Sequence, residues 1–337
     1  MGLPDCSRCA AGIENRCWPR RQTASAPSWP SRKRWTSTTR SGWTWWRWSS
    51  TTSSSAGAEP LFLQDYIAVG RTVPPERVSA IVSGIADGCV LAGCALLGGE
   101  TAEHPPGLME PDHYDISATG VGVVEADDLL GPELVRPGDV IIAMASTGLH
   151  SNGYSLARKV LLEIDRMDLA GHVEEFGRTL GEELLEPTYI YAKDCLALAS
   201  ETQVRTFCHV TGGGLAGNLE RVIPNGLVAE LDRGTWTPAP VFGMIAQRGR
   251  VERAEMEKTF NMGVGMVAIV APEDTDRALA ILTARHLNCW TLGTVAKSGK
   301  GEARAHLVGQ HPRLTEVRTA GLHLCVSQRR QSSSSAC

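Results

Sequence analysis

The chain lacks any apolar run long enough to cross a bilayer as a helix. It also lacks the basic-then-apolar opening of a secretory signal. No membrane association is expected, and a cytoplasmic location with reduced thiols is the corresponding expectation. Its ten cysteines are scattered, and Cys6-x-x-Cys9 has no second CxxC with which to complete a zinc site. Aromatics are scarce, at 6%, and unevenly spread: seven of the nine tryptophans fall in the first 55 residues. Neither sign of charge is in large excess, the net being −4. That value hides a split. Residues 1–55 carry a balance of +7, which leaves −11 for the remainder.

What is present suits a globular protein. With 337 residues, 42% hydrophobic and 21% charged, the chain can build two domains with sizeable cores. The stretch Leu97-Gly98-Gly99-Glu100-Thr101-Ala102-Glu103 follows apolar residues and reads as a strand end running into a short turn. Its glycines permit a backbone to approach a ligand closely. Its carboxylates suit Mg²⁺ bridging phosphates. The competing reading is a capped turn, because Thr101 and Glu100 are good helix starters.

Two further glycine clusters run from Ser146 to Tyr154 and from His209 to Gly214, each between an apolar run and a helical pattern. Three such loops point to one phosphate-rich site assembled from several strand ends. Ser151 and Asn152 would stand at a helix N-terminus, where an anion is stabilised, or would serve as plain N-caps. Gly212, Gly213 and Gly214 are more glycines than a turn needs, and they suit close approach to a ligand. His209 before them is a phosphate donor, an acid–base group or a structural residue. His150 alone reads as a surface or capped histidine rather than a catalyst.

From Gly57 to about Arg313 the chain resembles the phosphoribosylformylglycinamidine cyclo-ligase family, also called aminoimidazole ribonucleotide synthetase. The matching residues are Gly57-Ala58-Glu59-Pro60-Leu61-Phe62, Asp65-Tyr66, Gly98 to Glu103, His150 to Leu156, Val210 to Gly214 and Phe260-Asn261-Met262-Gly263-Val264-Gly265-Met266. They occur in family order and spacing. The resemblance implies two α/β domains, an N-terminal ATP-binding one over residues 57–136 and a C-terminal one over 137–314. It also implies a homodimer in which the N-terminal sheets pair into a barrel. The implied reaction turns formylglycinamidine ribonucleotide and ATP into aminoimidazole ribonucleotide, ADP and phosphate, in purine synthesis. On that basis His209 and Glu100 are the catalytic candidates. Gly98, Gly99, Thr101, Gly212, Gly213 and Gly214 would contact ATP. Ser151, Asn152, Gly153, Thr211 and Asn261 would hold the substrate, and Asp65, Glu100 and Glu103 would hold Mg²⁺. The alternatives are another ATP-dependent phosphoryl-activating enzyme, such as a selenophosphate synthetase or thiamine-phosphate kinase, and a non-catalytic protein that binds through a basic arm. The pair of motifs at Ser151–Tyr154 and Val210–Gly214 favours the cyclo-ligase, for which no nucleic-acid partner is expected.

The first 56 residues fall outside the resemblance. Arg40 to Ser55 shows no apolar periodicity, yet abuts Gly57, where the match begins. Tryptophan is always TGG, so a frame starting one base earlier gives Val, Leu or Met there. Thr then gives residues such as Asp, and Ser gives Val, Leu or Ile. A consistent choice of bases converts Gly42–Ala56 to GVDLVAMVVDDLVVC, an apolar segment with paired aspartates, as the family has before its GAEP. The same shift over Thr23–Ser28 permits DGVGTK, the family's phosphate-contacting motif. Residues of about 17–56 therefore read as an out-of-frame translation; the rival reading is a genuine disordered basic arm.

Along the remainder, strands are expected at Leu61–Val69, Asp115–Glu125, Val140–Ala145, Phe207–Val210, up to Val270 and over Cys289–Val295. Helices are expected after Pro74-Pro75, and over Tyr154–Ile164, Pro187–Leu198, Leu215–Val222 and Pro272–Arg285. Residues 315–337 read as a disordered tail.

Overall fold

A computed structural model describes residues 16–17, 23–25, 56–299, 301 and 304–312. Two sheets organise it. The first contains β1 (Arg16–Cys17), β2 (Thr23–Ser25), β3 (Glu59–Gly70), β4 (Ala95–His104) and β5 (Tyr114–Glu125). Its order is β1-β5-β3-β4, with β2 also on β5; β3 runs parallel to β4 and antiparallel to β5. Alternation along β3 places Leu63, Ile67 and Val69 on one face. There they meet Ile81, Ile85 and Cys89 of helix α1 (Pro75–Ala92). Proline opens α1 and a left-handed Gly93 (φ 82°) closes it.

The second sheet has the order β13-β10-β12-β6-β11-β9. Its strands are β6 (Val140–Ala145), β9 (Val204–His209), β10 (Leu227–Asp232), β11 (Val264–Val270), β12 (Cys289–Lys297) and β13 (Arg304–Val308). Every residue of β11 is buried because both faces are covered. Ile141, Ala143, Val267 and Ile269 enter the core on one face. Ile142, Met144, Met266, Ala268 and Val270 enter the core on the other, with Tyr191, Leu198 and Phe207. Ile190 and Ala192 also pack into the core of the first sheet, joining the two units.

The mixed α/β architecture agrees with the sequence, but several elements differ. The stretch Gly98–Glu103 is not a strand-end turn: it is the interior of β4, continuous to His104. Pairing with β3 from Phe62↔Ala95 to Gly70↔His104 holds it extended. The helix expected from Pro187 starts at Ala192 (α4, Ala192–Glu201). The run before it is strapped to the end of β6, since Thr147 Oγ1 donates to Pro187 O (2.6 Å) and Tyr191 OH donates to Ala145 O (2.6 Å). The helix from Tyr154 is α-helical only to Arg158 (α2) and continues as a π-turn, Lys159–Ile164. There Asp165 N reaches Val160 O. Four strands, β7 (His172–Val173), β8 (Arg178–Thr179), β10 and β13, and three helices, α3 (Leu180–Leu184), α6 (Pro240–Gly249) and α7 (Arg253–Thr259), had no sequence expectation. The expectations for residues 1–56 and 315–337 lie outside the described residues, apart from the short strands β1 and β2 and from Ala56.

Candidate active site

The register of the second sheet decides where its loops go. Ala145, at the end of β6, pairs with Val264, at the start of β11. His209, at the end of β9, pairs with Met266 of the same strand. The loops 146–153, 210–214 and 261–263 therefore leave one edge of one sheet.

Side chains then tie these loops together. Asn261 Nδ2 donates to Gly148 O (2.9 Å), and its Oδ1 accepts from Gly263 N (2.8 Å). Ser146 Oγ lies within hydrogen-bond distance of both Asn261 Oδ1 (3.1 Å) and Gly148 O (3.0 Å). Asn261 is buried, so this fastening is sheltered from water. Met262 beside it is held left-handed (φ 50°), and its carbonyl accepts from Trp236 Nε1 (2.9 Å). Trp236 gave no sequence signal of its own; only the Met262 contact reveals it.

The glycine-rich turn has its own fastener, also missed in the sequence. Asn218, buried on α5 (Gly214–Leu219), sets Nδ2 within reach of the carbonyls of Thr211 (3.2 Å), Gly212 (3.3 Å) and Gly214 (2.7 Å). Thr211 Oγ1 donates to Asn218 Oδ1 (3.0 Å). The three glycines differ in purpose. The α-carbon of Gly214 (φ 71°) abuts the carbonyl of Glu257 on α7, so that glycine serves packing. A Cβ on Gly212 would lie 3.3 Å from Asn152 Oδ1, which places the first two loops side by side. Gly213 (φ 100°) keeps its nearest neighbour, Asn218 Nδ2, at 3.8 Å from such a Cβ. Close approach to a ligand is thus open at Gly212 and Gly213.

Ser151 and Asn152 do not cap α2: its N-cap is the left-handed Gly153 (φ 79°), with no side-chain cap bond. Gly153 is required there because the Phe260 ring fills the space of a Cβ. His150 is not on the surface, and its ring is capped by a backbone donor. It is buried with φ 59°, and its Nε2 accepts from Thr147 N (3.1 Å).

His209 is part-buried as a residue, but its Nδ1 is fully shielded and has no hydrogen-bond partner among the described residues. Burial pushes its pKa down to about 4, so the ring is neutral at pH 7. It can pass a proton or accept a hydrogen bond there, but it cannot offer a positive charge to phosphate. The unfolded chain takes up this proton near pH 6.5 and the folded chain only near 4, so folding stability falls as pH drops through that window. His209→Asn is expected to flatten that fall, measured as the urea midpoint between pH 7 and pH 4. An unchanged slope would count against a buried neutral His209.

The carboxylates do not converge. Glu100 pairs with Tyr66 and Asp65 with Gly99, so the two side chains leave opposite faces of the first sheet. Glu103, three residues on from Glu100, also lies on the face opposite to it and pairs with Arg71 at 3.5 Å. Asp65 presses on the α-carbon of Gly99, and burial raises its pKa. Glu100 Oε1 accepts from Thr101 N (3.2 Å). Among the described residues, no group of three His, Cys, Asp or Glu is placed to hold a metal. Asp65, Glu100 and Glu103 therefore do not fit one Mg²⁺ within a single chain.

Comparison with known proteins agrees with the motifs. Residues 54–124 match the N-terminal domain of AIR synthase related proteins, and residues 136–306 match the C-terminal domain. The phosphoribosylformylglycinamidine cyclo-ligase of Anaeromyxobacter sp. (strain Fw109-5) is 50% identical over 253 residues, covering 75% of this chain and 72% of that one. That of Myxococcus xanthus is 48% identical over 251 residues, covering 74% and 72%. Among solved structures, thiamine-monophosphate kinase from Stenotrophomonas maltophilia aligns with a TM-score of 0.63 at 16% identity, over 89% of this chain and 88% of that one. The hydrogenase maturation protein HypE of E. coli gives 0.63 at 16%, over 92% and 87%. These two share the fold. No described helix is long and apolar enough to cross a membrane. At this identity and coverage, with both domains matched, the chain belongs to the phosphoribosylformylglycinamidine cyclo-ligase family of ATP-dependent ligases in purine synthesis.

Proposed function

We propose that residues 57–314 of this chain are a scaffold for ATP-dependent closure of formylglycinamidine ribonucleotide to aminoimidazole ribonucleotide, and that the chain as written performs it poorly. The observation that carries this reading is the union of loops 146–153, 210–214 and 261–263 at one sheet edge through Asn261 and the Asn152–Gly212 contact. An amide oxygen is a poor leaving group. Transfer of the γ-phosphoryl of ATP to the formyl oxygen makes it phosphate. The amidine nitrogen then attacks that carbon, the five-membered ring closes, and phosphate departs. Such a transfer depends on alignment and charge neutralisation more than on a strong base. Gly212 and Gly213 would lie against phosphate oxygens, with Ser151, Asn152 and Thr211 orienting the ribonucleotide. His209 would act as a neutral proton carrier. Gly98 would bound the nucleotide from the first sheet, on the face that Glu100 shares; Thr101 lies on the opposite face.

Mg²⁺ is expected with ATP, but no step is assigned to it, because the three candidate carboxylates do not share a face. A homodimer belongs to the same reading: Leu61, Tyr66 and Leu97 are exposed on β3 and the edge strand β4. So does a cytoplasmic setting. The other superfamily activities have no residue-level support beyond the shared fold.

The impairment follows from the first 56 residues, none of which before 54 is reached by the family matches. The out-of-frame reading is tested by sequencing the DNA around codons 17 to 57. The frame one base earlier should encode the aspartate–glycine phosphate loop and the aspartate pair. Stop codons or unrelated residues there would sink it.

The opposite facing of Glu100 and Glu103 gives a second test, in a frame-restored protein. Glu100→Gln removes the one candidate carboxylate on its face of β4, which alone could hold Mg²⁺ against the nucleotide phosphates, and is expected to slow ATP-dependent turnover at least about tenfold with little loss of stability. Glu103→Gln, which removes only an exposed pairing with Arg71, should leave it unchanged. Full activity of Glu100→Gln across Mg²⁺ concentrations would reduce Glu100 to a strand residue.

A further inference from the structure

Helix α1 ends in a turn that joins two thiols. Cys94 N donates to Cys89 O (3.0 Å), and Gly93 N reaches Val90 O (3.2 Å) while Gly93 is left-handed. This is the Schellman arrangement, in which the side chains three positions before and two beyond the cap meet, commonly as an apolar pair. Here both are cysteines. Cys89 is buried in the core of the first sheet, and Cys94 packs against that core while staying partly exposed. The two thiols are close enough to interact, which holds the Cys89 thiol up, with burial adding to it, and draws the Cys94 thiol down against its own partial burial. The other described cysteines differ. Cys195 and Cys208 are wholly buried, and burial holds both thiols up. Cys289 Sγ is near Leu279 O and Thr283. Nothing in the ring-closure reading uses Cys89 or Cys94.

We propose that Cys89 and Cys94 form a modification site, a paired thiol that a peroxide closes to a disulfide. The exposed member reacts first. Cys94 thiolate attacks a peroxide oxygen; the S–O bond forms, the O–O bond breaks, and the departing oxygen takes a proton to leave as water or an alcohol. Cys89 sulfur then attacks Cys94 sulfur. The S–S bond forms, the S–O bond breaks, and hydroxide leaves with the Cys89 proton as a second water. Both sulfurs are oxidised and one peroxide is reduced. A disulfide needs its α-carbons about 4.4–6.8 Å apart with facing β-carbons, and side chains already in contact across one capped turn need little movement to meet that. The bond would pin the end of α1 to the start of β4, the strand that carries Gly98 to Glu103.

The test uses the full chain and hydrogen peroxide. After a dose that oxidises part of the total thiol, the protein is denatured, alkylated and cut with trypsin. The peptide Val78–Arg158, whose one internal Arg136 precedes Pro137 and is not cut, contains no cysteine besides these two. It should be recovered unalkylated and two hydrogens lighter, and should regain both labels after reduction. Cys89→Ser should stop at a Cys94 sulfenic acid that dimedone traps, and Cys94→Ser should leave Cys89 reduced. Full alkylation of both cysteines in the unmutated chain while other thiols are oxidised would overturn the proposal. So would a disulfide that joins Cys94 to a different peptide.

Discussion

Gly214→Ala is expected to destabilise the C-terminal unit by about 3 kcal/mol, from left-handed strain of about 1–2 kcal/mol and overpacking of about 1–3 kcal/mol. The residue has φ 71°, and an added Cβ would enter the carbonyl of Glu257, which is backbone and cannot swing aside. Two neighbours separate these causes. Gly213→Ala at φ 100° makes only an ordinary contact, 3.8 Å from Asn218 Nδ2, so strain of about 1–2 kcal/mol alone should appear. Gly217→Ala, inside α5 and with nothing near its Cβ, should gain about 0.5–1 kcal/mol. Urea denaturation of the three variants gives the order. Equal losses for Gly213 and Gly214 would show that the contact with α7 does not constrain the turn.

That glycine illustrates how the sequence is informative and where it misleads. Three consecutive glycines announced a special backbone, but not that one of them answers to a helix over forty residues away. Packing of Glu257 on Gly214 is a tertiary fact, and no local pattern encodes it. The strands β6, β9 and β11 were legible because their apolar runs are fully buried and flanked by glycine loops. Strands β10 and β13 were not. β10 alternates buried residues with less buried ones over only six positions, and β13 buries only Ala305 of its five, too little to stand out from a loop. The edge strand β4 was misread for a related reason. Gly98 and Gly99 look like a turn, and only pairing with β3 reveals that the chain runs on. Gly99 is there because Asp65 occupies the place of its side chain. Consequently the carboxylates that looked like a cluster in sequence are divided between two faces in space.

The loops that join at the second sheet show the opposite case. Ser146, Gly148, Asn152, Thr211, Gly212 and Asn261 were found as separate motifs, and antiparallel register brings them to one edge. The fasteners Asn218 and Trp236 stayed hidden, since a single asparagine in a helix or a single tryptophan after a strand has no spacing to give it away.

The second large effect concerns the whole chain. An intact scaffold cannot transfer phosphoryl groups without the groups that neutralise and align them. The segment that would carry the aspartate–glycine loop and the paired aspartates is written here as Trp, Arg, Ser and Thr. Losing even one well-placed electrostatic group typically costs about 100- to 1000-fold in rate, and here several go together. The decisive measurement is ATP-dependent phosphate release with formylglycinamidine ribonucleotide, for the written chain beside the frame-restored protein. The restored protein should turn over, and the written chain should fall at least about 1000-fold below it while its C-terminal unit resists proteolysis. Turnover by the written chain within about tenfold of the restored protein, a difference of only about 1.4 kcal/mol in barrier, would contradict the account.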